Sequence, residues 1–309
     1  MGDRALTPAQ RETLDRIRLP AHQRATWPDG LRRELDERLH DELADIAAGL
    51  PDAGLFVGKG DLDGVHGCEA RHLASEFAWS VPTARGRVAH KAIELTIALR
   101  GDPEPRQLVD EAIGRLSEED STLAGFLQTC GEAARNDLAA QAIAVVDGFL
   151  TTFPPLTRGF RPAAETARRW STNDGRITLG GRFDLTVGVP DGTTAGRVIV
   201  EIKTGGSVAG HRDDLRFYAL LETLVVGTPP MSIVVHYPDS GRADVEVVTG
   251  PILESAVRRT VAGVRRIAQL RHGSGVEPVR RPGPPCRWCP ISIDCQPGRA
   301  WLDDEAEAR

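Results

Sequence analysis

The chain has 309 residues, 40% of them apolar and 27% charged, with a net charge of −6. This is the profile of a soluble globular protein of one or two domains, and its acidic balance excludes a globally basic surface, so nucleic-acid binding must come from local patches. No stretch of about 20 apolar residues is present to span a bilayer, and Met1-Gly2-Asp3-Arg4 leads into charge instead of the apolar core of a secretory signal; a cytoplasmic location is expected.

Residues 1–50 mix charge with apolar positions at helical spacing, Leu31, Leu35, Leu39 and Leu43 among them, and predict one or two helices. Residues 51–67 are rich in Gly and Asp and predict a loop or short hairpin before Cys68. From Gly86 to Leu99 the spacing predicts a helix beginning near His90, with Glu94 one turn on. Residues 105–150 predict helix throughout. The period then changes to two: Phe183, Leu185, Val187 and Val189 alternate, as do Val198, Val200 and Ile202, with Pro190-Asp191-Gly192 as the turn between two strands. A helix at about 211–226, strands at 232–237 and around 245–248, and a last amphipathic helix through Val257, Val261, Val264, Ile267 and Leu270 follow. From Arg280 the chain predicts a Pro-, Gly- and Arg-rich loop. The expected fold class is α/β, a mixed central sheet flanked by helices, with an added helical region and a cysteine-bearing C-terminal tail.

Lysine is scarce: Lys59, Lys91 and Lys203 stand against 35 arginines. A lysine in such a chain is worth attention where its chemistry matters, because arginine does not readily release a proton. Lys203 ends Glu201-Ile202-Lys203, and on a strand Glu201 and Lys203 project from one side while Ile202 anchors the other. Asp184, seventeen residues earlier, is expected on the polar face of the preceding strand, opposite Phe183 and Leu185. Pairing of the two strands brings the carboxylates together, a natural site for Mg²⁺ or Mn²⁺. Such a site suits phosphodiester hydrolysis: the metal neutralises charge and activates water, and Lys203 orients the water or stabilises the developing charge. His90 is a further candidate ligand. Gly54 to Gly60, with Lys59, lacks the spacing and the hydroxyl of a phosphate loop, so an ATPase is excluded. Arg258, Arg259, Arg265 and Arg266 form a basic stripe that reads either as a track for a DNA backbone or as a solvated face.

The five cysteines are an odd number in a long chain and do not suggest disulfides. Cys286, Cys289 and Cys295 supply three thiolates within ten residues, and a fourth must come from Cys68 or Cys130. Four thiolates suit either a [4Fe–4S] cluster or tetrahedral Zn²⁺.

Gly-x3-His at Gly86–His90, Gly-Arg-Phe-Asp at 181–184, Glu-Ile-Lys at 201–203 and a following helix with Tyr218 resemble the RecB-like branch of the PD-(D/E)xK nucleases, over roughly residues 60–300. The resemblance implies a restriction-endonuclease-like core. It also implies Mg²⁺ or Mn²⁺ on His90, Asp184, Glu201 and the Ile202 carbonyl, with Asp184, Glu201 and Lys203 catalytic. Glu165 falls loosely where some members carry a further acidic residue. Tyr218, Arg216 and Arg212 become candidate nucleic-acid contacts, and Asp214 stands where the family usually carries Gln. The iron–sulfur subset, of the AddB and CRISPR-adaptation type, places its first ligand at Cys68, which with Cys286, Cys289 and Cys295 completes a cluster. The domain organisation expected is a helical extension over 1–55 and a nuclease domain over 56–300, with a helical insertion at about 100–160 and a cluster-binding tail at 280–300. The activity implied is that of a DNA exonuclease on single strands or ends, in repair, recombination or CRISPR adaptation, beside a separate helicase or adaptation subunit. The alternatives are a non-catalytic DNA-binding or scaffold subunit and a zinc-stabilised binding protein.

Overall fold

The computed structural model describes residues 5–99, 103–205 and 210–308. Helices α1 (Pro8–Ile17) and α2 (Leu31–Ala48) precede strand β1 (Leu55–Gly58), which runs directly into α3 (Lys59–His66) and then α4 (Glu69–Ala74). Four helices follow: α5 (Val81–Ala98), α6 (Pro105–Glu119), α7 (Ser121–Thr129) and α8 (Glu132–Thr152). Then come β2 (Ala163–Thr172), β3 (Ile177–Val187), β4 (Val198–Ile202), α9 (Gly210–Val226), β5 (Ser232–Tyr237), β6 (Arg242–Val247), α10 (Gly250–His272) and α11 (Gln296–Glu307).

The six strands form one mixed sheet of order β1-β3-β4-β5-β6, with β2 also paired to β3. It separates two cores. On one face α2, α9 and α10 bury Leu39, Leu43, Leu220, Leu224, Val257 and Val264. On the other, α5 to α8 bury Val88, Ala92, Leu108, Leu116, Leu138 and Val146. The i, i+4 leucines of α2 are the reason that helix docks, and each fully buried leucine contributes roughly 1.5–3 kcal/mol. Every residue of β4 is buried, as its uninterrupted apolar run and its parallel neighbour β5 require.

The expected α/β class and the mixed, helix-flanked sheet hold. Three local expectations do not, and one strand had no expectation at all. The segment 51–67 is β1 and α3 instead of a loop. The helix bearing His90 begins at Val81, where Ser80 and Thr83 form a capping box, so His90 sits in mid-helix. β2, of which nothing was expected, carries no period-two apolar signal because half-buried and exposed residues, Arg168 and Arg169 among them, make up most of it. The tail ends in a helix, α11, which buries only Gly298.

The topology of β3 decides where chemistry is placed. β2 pairs along β3 from Ile177 to Thr186. The opposite edge is shared: β1, parallel, pairs with Ile177–Gly180, and β4, antiparallel, pairs with Leu185–Val187. The C-terminal ends of β1 and β4 therefore face each other across the gap at residues 181–184. In that gap β3 turns over. Ile177, Leu179 and Phe183 enter the α2/α9/α10 core, whereas Leu185 and Val187, of the same parity, enter the other. A regular strand keeps alternate residues on one face. The expectation that Asp184 lies opposite both Phe183 and Leu185 is thus corrected: it lies at the break.

Candidate active site and cysteine cavity

Glu165 stands opposite Asp184 in the β2–β3 register, between the pairs Ala164–Leu185 and Thr166–Phe183. Its backbone is left-handed, φ 48°, a strained state for a residue other than glycine and one that gathers at functional sites. Helix α5 comes close to the chain just past β4 at Gly86, one turn before His90, where a Cβ would lie 3.4 Å from Thr204 Oγ1. The result is a group of three: donor atoms of His90, Glu165 and Asp184 all lie within 4.8 Å of one another.

Hydrogen bonds order this group. His90 Nε2 is 3.0 Å from the Ile202 carbonyl, which makes Nε2 the donor, and Nδ1 faces Asp184 Oδ1 at 3.3 Å. The other Asp184 oxygen accepts the Ile202 N–H at 2.8 Å. Burial alone lowers the His90 pKa, but the Asp184 carboxylate outweighs it and the net shift is upward. Burial likewise pushes Asp184 up, and the His90 charge brings it below the ordinary value. His90 Nδ1 and Asp184 Oδ1, facing each other at 3.3 Å, are the two atoms that would hold a divalent cation.

Glu201 is buried, 3% exposed. Its Oε1 accepts from Lys203 Nζ at 2.8 Å and also from Lys59. Its Oε2 has no hydrogen-bond partner among the described residues. A buried carboxylate oxygen left bare is costly, and it is what a cation site offers. Glu201, an expected ligand, is not one of the three-residue group, whose imidazole and two carboxylates form a donor set that fits Mg²⁺ or Mn²⁺. The Ile202 carbonyl, an expected ligand, is occupied by the His90 ring.

Lys59 is the residue that sequence reasoning set aside with the failed phosphate loop. Burial lowers the pKa of its ammonium, but Glu201 outweighs this and raises it, so Lys59 stays cationic. It lies 5.1 Å over the Tyr218 ring. The scarcity of lysine was the one sequence signal pointing to it. Tyr218 itself is buried and donates to the Arg182 carbonyl at 3.0 Å. Gly181 is required beneath it, since a Cβ there would come within 2.6 Å of the ring. Asp214 lines a small cavity with Lys59, and burial pushes its pKa up to about 6 against the pull of Lys59 and Lys203. Arg87 and Arg182 both reach Glu165, at 3.5 and 3.4 Å. Arg216 is held by Glu246 and Asp213, and Arg212 is exposed. In the α10 stripe Arg258, Arg265 and Arg266 pair with Glu254, Asp45 and Glu69.

At the other end of α3, Cys68, Cys286, Cys289 and Cys295 line one cavity of about 390 Å³, with Arg71, Arg259 and Arg281 at its wall. Cys130 is not part of it; it caps α7. All five thiols are free. Gly298 leaves room at the start of α11, where a Cβ would come 3.3 Å from Cys295 Sγ and 3.6 Å from Cys286 Sγ. Arg281 donates to the Val65 and Gly67 carbonyls and Glu69 accepts from Val279 N–H, tying the tail to the chain around Cys68.

No curated protein resembles the chain significantly in sequence. Among solved structures, a presumptive exonuclease from Eubacterium rectale is 13% identical with a TM-score of 0.48, covering 85% of this chain and 91% of its own. The protein SSO0001 is 16% identical with a TM-score of 0.32, covering 68% and 95%. Likenesses of this size carry no argument about activity. The family model of the PD-(D/E)XK nuclease superfamily matches residues 62–296, from α3 through the cysteine tail. That span covers most of the chain and includes Asp184, Glu201 and Lys203: the chain belongs to the PD-(D/E)XK nuclease superfamily.

Proposed function

We propose that this chain is a Mg²⁺- or Mn²⁺-dependent deoxyribonuclease of the RecB-like branch, an exonuclease acting on single strands or ends, in repair, recombination or CRISPR adaptation. The observation that carries the proposal is the bare Glu201 Oε2 beside the His90–Glu165–Asp184 group, with two lysines on the same carboxylate. Roles follow from position. His90, Asp184 and Glu201 hold the cation, joined by Glu165. A divalent cation bound there supplies charge neutralisation at the phosphate and lowers the pKa of water. Lys203 at the open end of β4 orients the attacking water and neutralises charge on the phosphoryl oxygens. Arg87 and Arg182, both within reach of Glu165, would be available to a phosphate backbone beside the cation site.

Four cysteines from opposite ends of the domain in one cavity support a cluster as the second cofactor. Four thiolates suit either [4Fe–4S] or Zn²⁺, and the resemblance to the iron–sulfur subset of the RecB-like nucleases favours the cluster. Its role is structural, holding the tail to the core.

The test is cleavage of end-labelled single-stranded DNA with Mn²⁺ or Mg²⁺ by anaerobically purified protein and by Lys203→Ala. The expected result is cleavage by the wild type and a loss of roughly 10²–10⁴-fold in the variant. Equal activity in both places the chemistry elsewhere. Silence in both, with the metal sites loaded, favours a DNA-binding or scaffold subunit, the reading to which the carboxylate at Asp214 belongs.

A further inference from the structure

Two of the three lysines in the chain meet on a single oxygen. Lys59 and Lys203 both donate to Glu201 Oε1, while Oε2 has no partner among the described residues. One ammonium is enough to balance one carboxylate, and bringing a second into a largely buried site costs desolvation. The arrangement has a use if the two lysines differ in freedom, and the fold makes them differ.

Lys59 is fixed from three sides. It is the first residue of α3, one residue past the end of β1, which is locked in register on β3. Its ammonium lies over Tyr218 of α9, itself pinned by the hydrogen bond to Arg182 of β3. Asp214, one turn earlier on α9, lines the cavity at its flank. Lys203 instead stands one residue beyond β4; its amide is held by the His236 carbonyl, and its ammonium has Glu201 as hydrogen-bond partner among the described residues. The head-to-head ends of β1 and β4 put the fixed lysine and the freer one on the same carboxylate.

We infer that Lys59 is a positioning residue, the permanent counter-ion of Glu201, which keeps Oε1 occupied so that Lys203 is released to the attacking water and the phosphoryl oxygens. The inference deepens the nuclease reading and rests on it. Without Lys59, Lys203 is the sole cation on Glu201 and leaving it exposes a buried carboxylate. The loss then falls on the chemical step and not on DNA binding.

Three lysines make a direct experiment possible. Protein labelled with ¹⁵N at lysine Nζ gives three side-chain signals, assigned by single Lys→Arg substitutions. Addition of Mg²⁺ and an uncleavable single-stranded oligonucleotide is expected to move the Lys203 signal and leave that of Lys59 in place. In kinetics, Lys59→Met lowers kcat by roughly 10–100-fold, at the modest end of what one proton-transfer or charge-stabilising group supplies, with KM within about twofold. Lys59→Arg, which keeps a cation, recovers most of it. The Kd for Mn²⁺ alone, measured by calorimetric titration without DNA, is not weakened in Lys59→Met. Four results overturn the inference: an unchanged kcat; a raised KM with kcat intact, which makes Lys59 a DNA contact; a loss of Mn²⁺ affinity matching the loss of kcat, which makes it a prop for the metal ligand; or a Lys59 signal that moves with Lys203. An inactive wild type overturns the nuclease reading together with this one, whereas an active wild type with an indifferent Lys59→Met overturns this inference alone.

Discussion

At the scale of single residues, the site is organised by which polar atoms are satisfied and which are not. Glu201 has one oxygen crowded by two ammonium groups and one left bare; Asp184 has each oxygen engaged, one by a backbone amide and one by an imidazole. Just behind them His236 shows the cost of burying a titratable ring without a charge partner. Its carbonyl accepts the Lys203 amide, its Nε2 meets Thr152 at 3.2 Å, and its ring is boxed edge-on by Phe149 and Phe153. Burial drives its pKa down to about 4. The folded protein thus refuses a proton that the unfolded chain accepts near pH 6.5. Stability from this residue is complete above about pH 6.5 and is lost progressively as the pH falls toward 4, by about 3 kcal/mol in all. Urea midpoints measured from pH 7 to 4.5 are expected to fall along this course in the wild type and to flatten in His236→Leu. An equally steep fall in the variant assigns the acid sensitivity to another group.

At the scale of elements, β3 sets the geometry. Its Gly180-Gly181 pair is not loop-like flexibility in a strand but clearance on its two faces. A Cβ at Gly180 would come 2.5 Å from the Phe56 ring, and one at Gly181 would come 2.6 Å from Tyr218. Tyr218 in turn underlies Lys59. Gly181→Ala is therefore expected to displace the Tyr218 ring, and with it the lysine above, at a cost of about 1–3 kcal/mol for overpacking. A lowered melting temperature together with a kcat loss similar to that of Lys59→Met is the expected outcome; a folded, fully active Gly181→Ala contradicts the dependence of Lys59 on this stack. The break of alternation at Asp184, opposite the left-handed Glu165, is the second device of this strand. It was invisible to a pattern analysis that assumes period two throughout. β2 escaped for a related reason: Arg168, half-buried against Glu222, and the exposed Arg169 leave no apolar alternation to read.

At the scale of the whole molecule, the cysteine cavity joins the chain near residue 68 to its last forty residues. A cluster held there, as proposed, would close a long segment and add its ligation free energy to the folding free energy. Cys68→Ala is expected to lose iron and sulfide and to lower the melting temperature, while Cys130→Ala, at the end of α7 and outside the cavity, keeps both. Unchanged iron content in Cys68→Ala ends the four-cysteine assignment. The ion pair of Glu69 with Arg266 and its bond to Val279 N–H hold the same two regions together without a cofactor, so loss of the cluster is expected to loosen the tail before the nuclease core.

The sequence by itself determined what is local. Helical and strand periods, the turn between β3 and β4, and the Asp184–Glu201–Lys203 set are all legible because one hairpin brings them together, and hairpin register follows from short-range pattern. The cysteine spacing in the tail is local in the same sense. Only the tertiary structure decided what is distant. Lys59 reaches Glu201 because β1 and β4 share one edge of β3 end to end; Cys68 meets the tail because α3 and α4 carry it there. Pairings of this kind join residues scores of positions apart, and their register is set by packing of the assembled sheet against two cores, which no window of sequence contains.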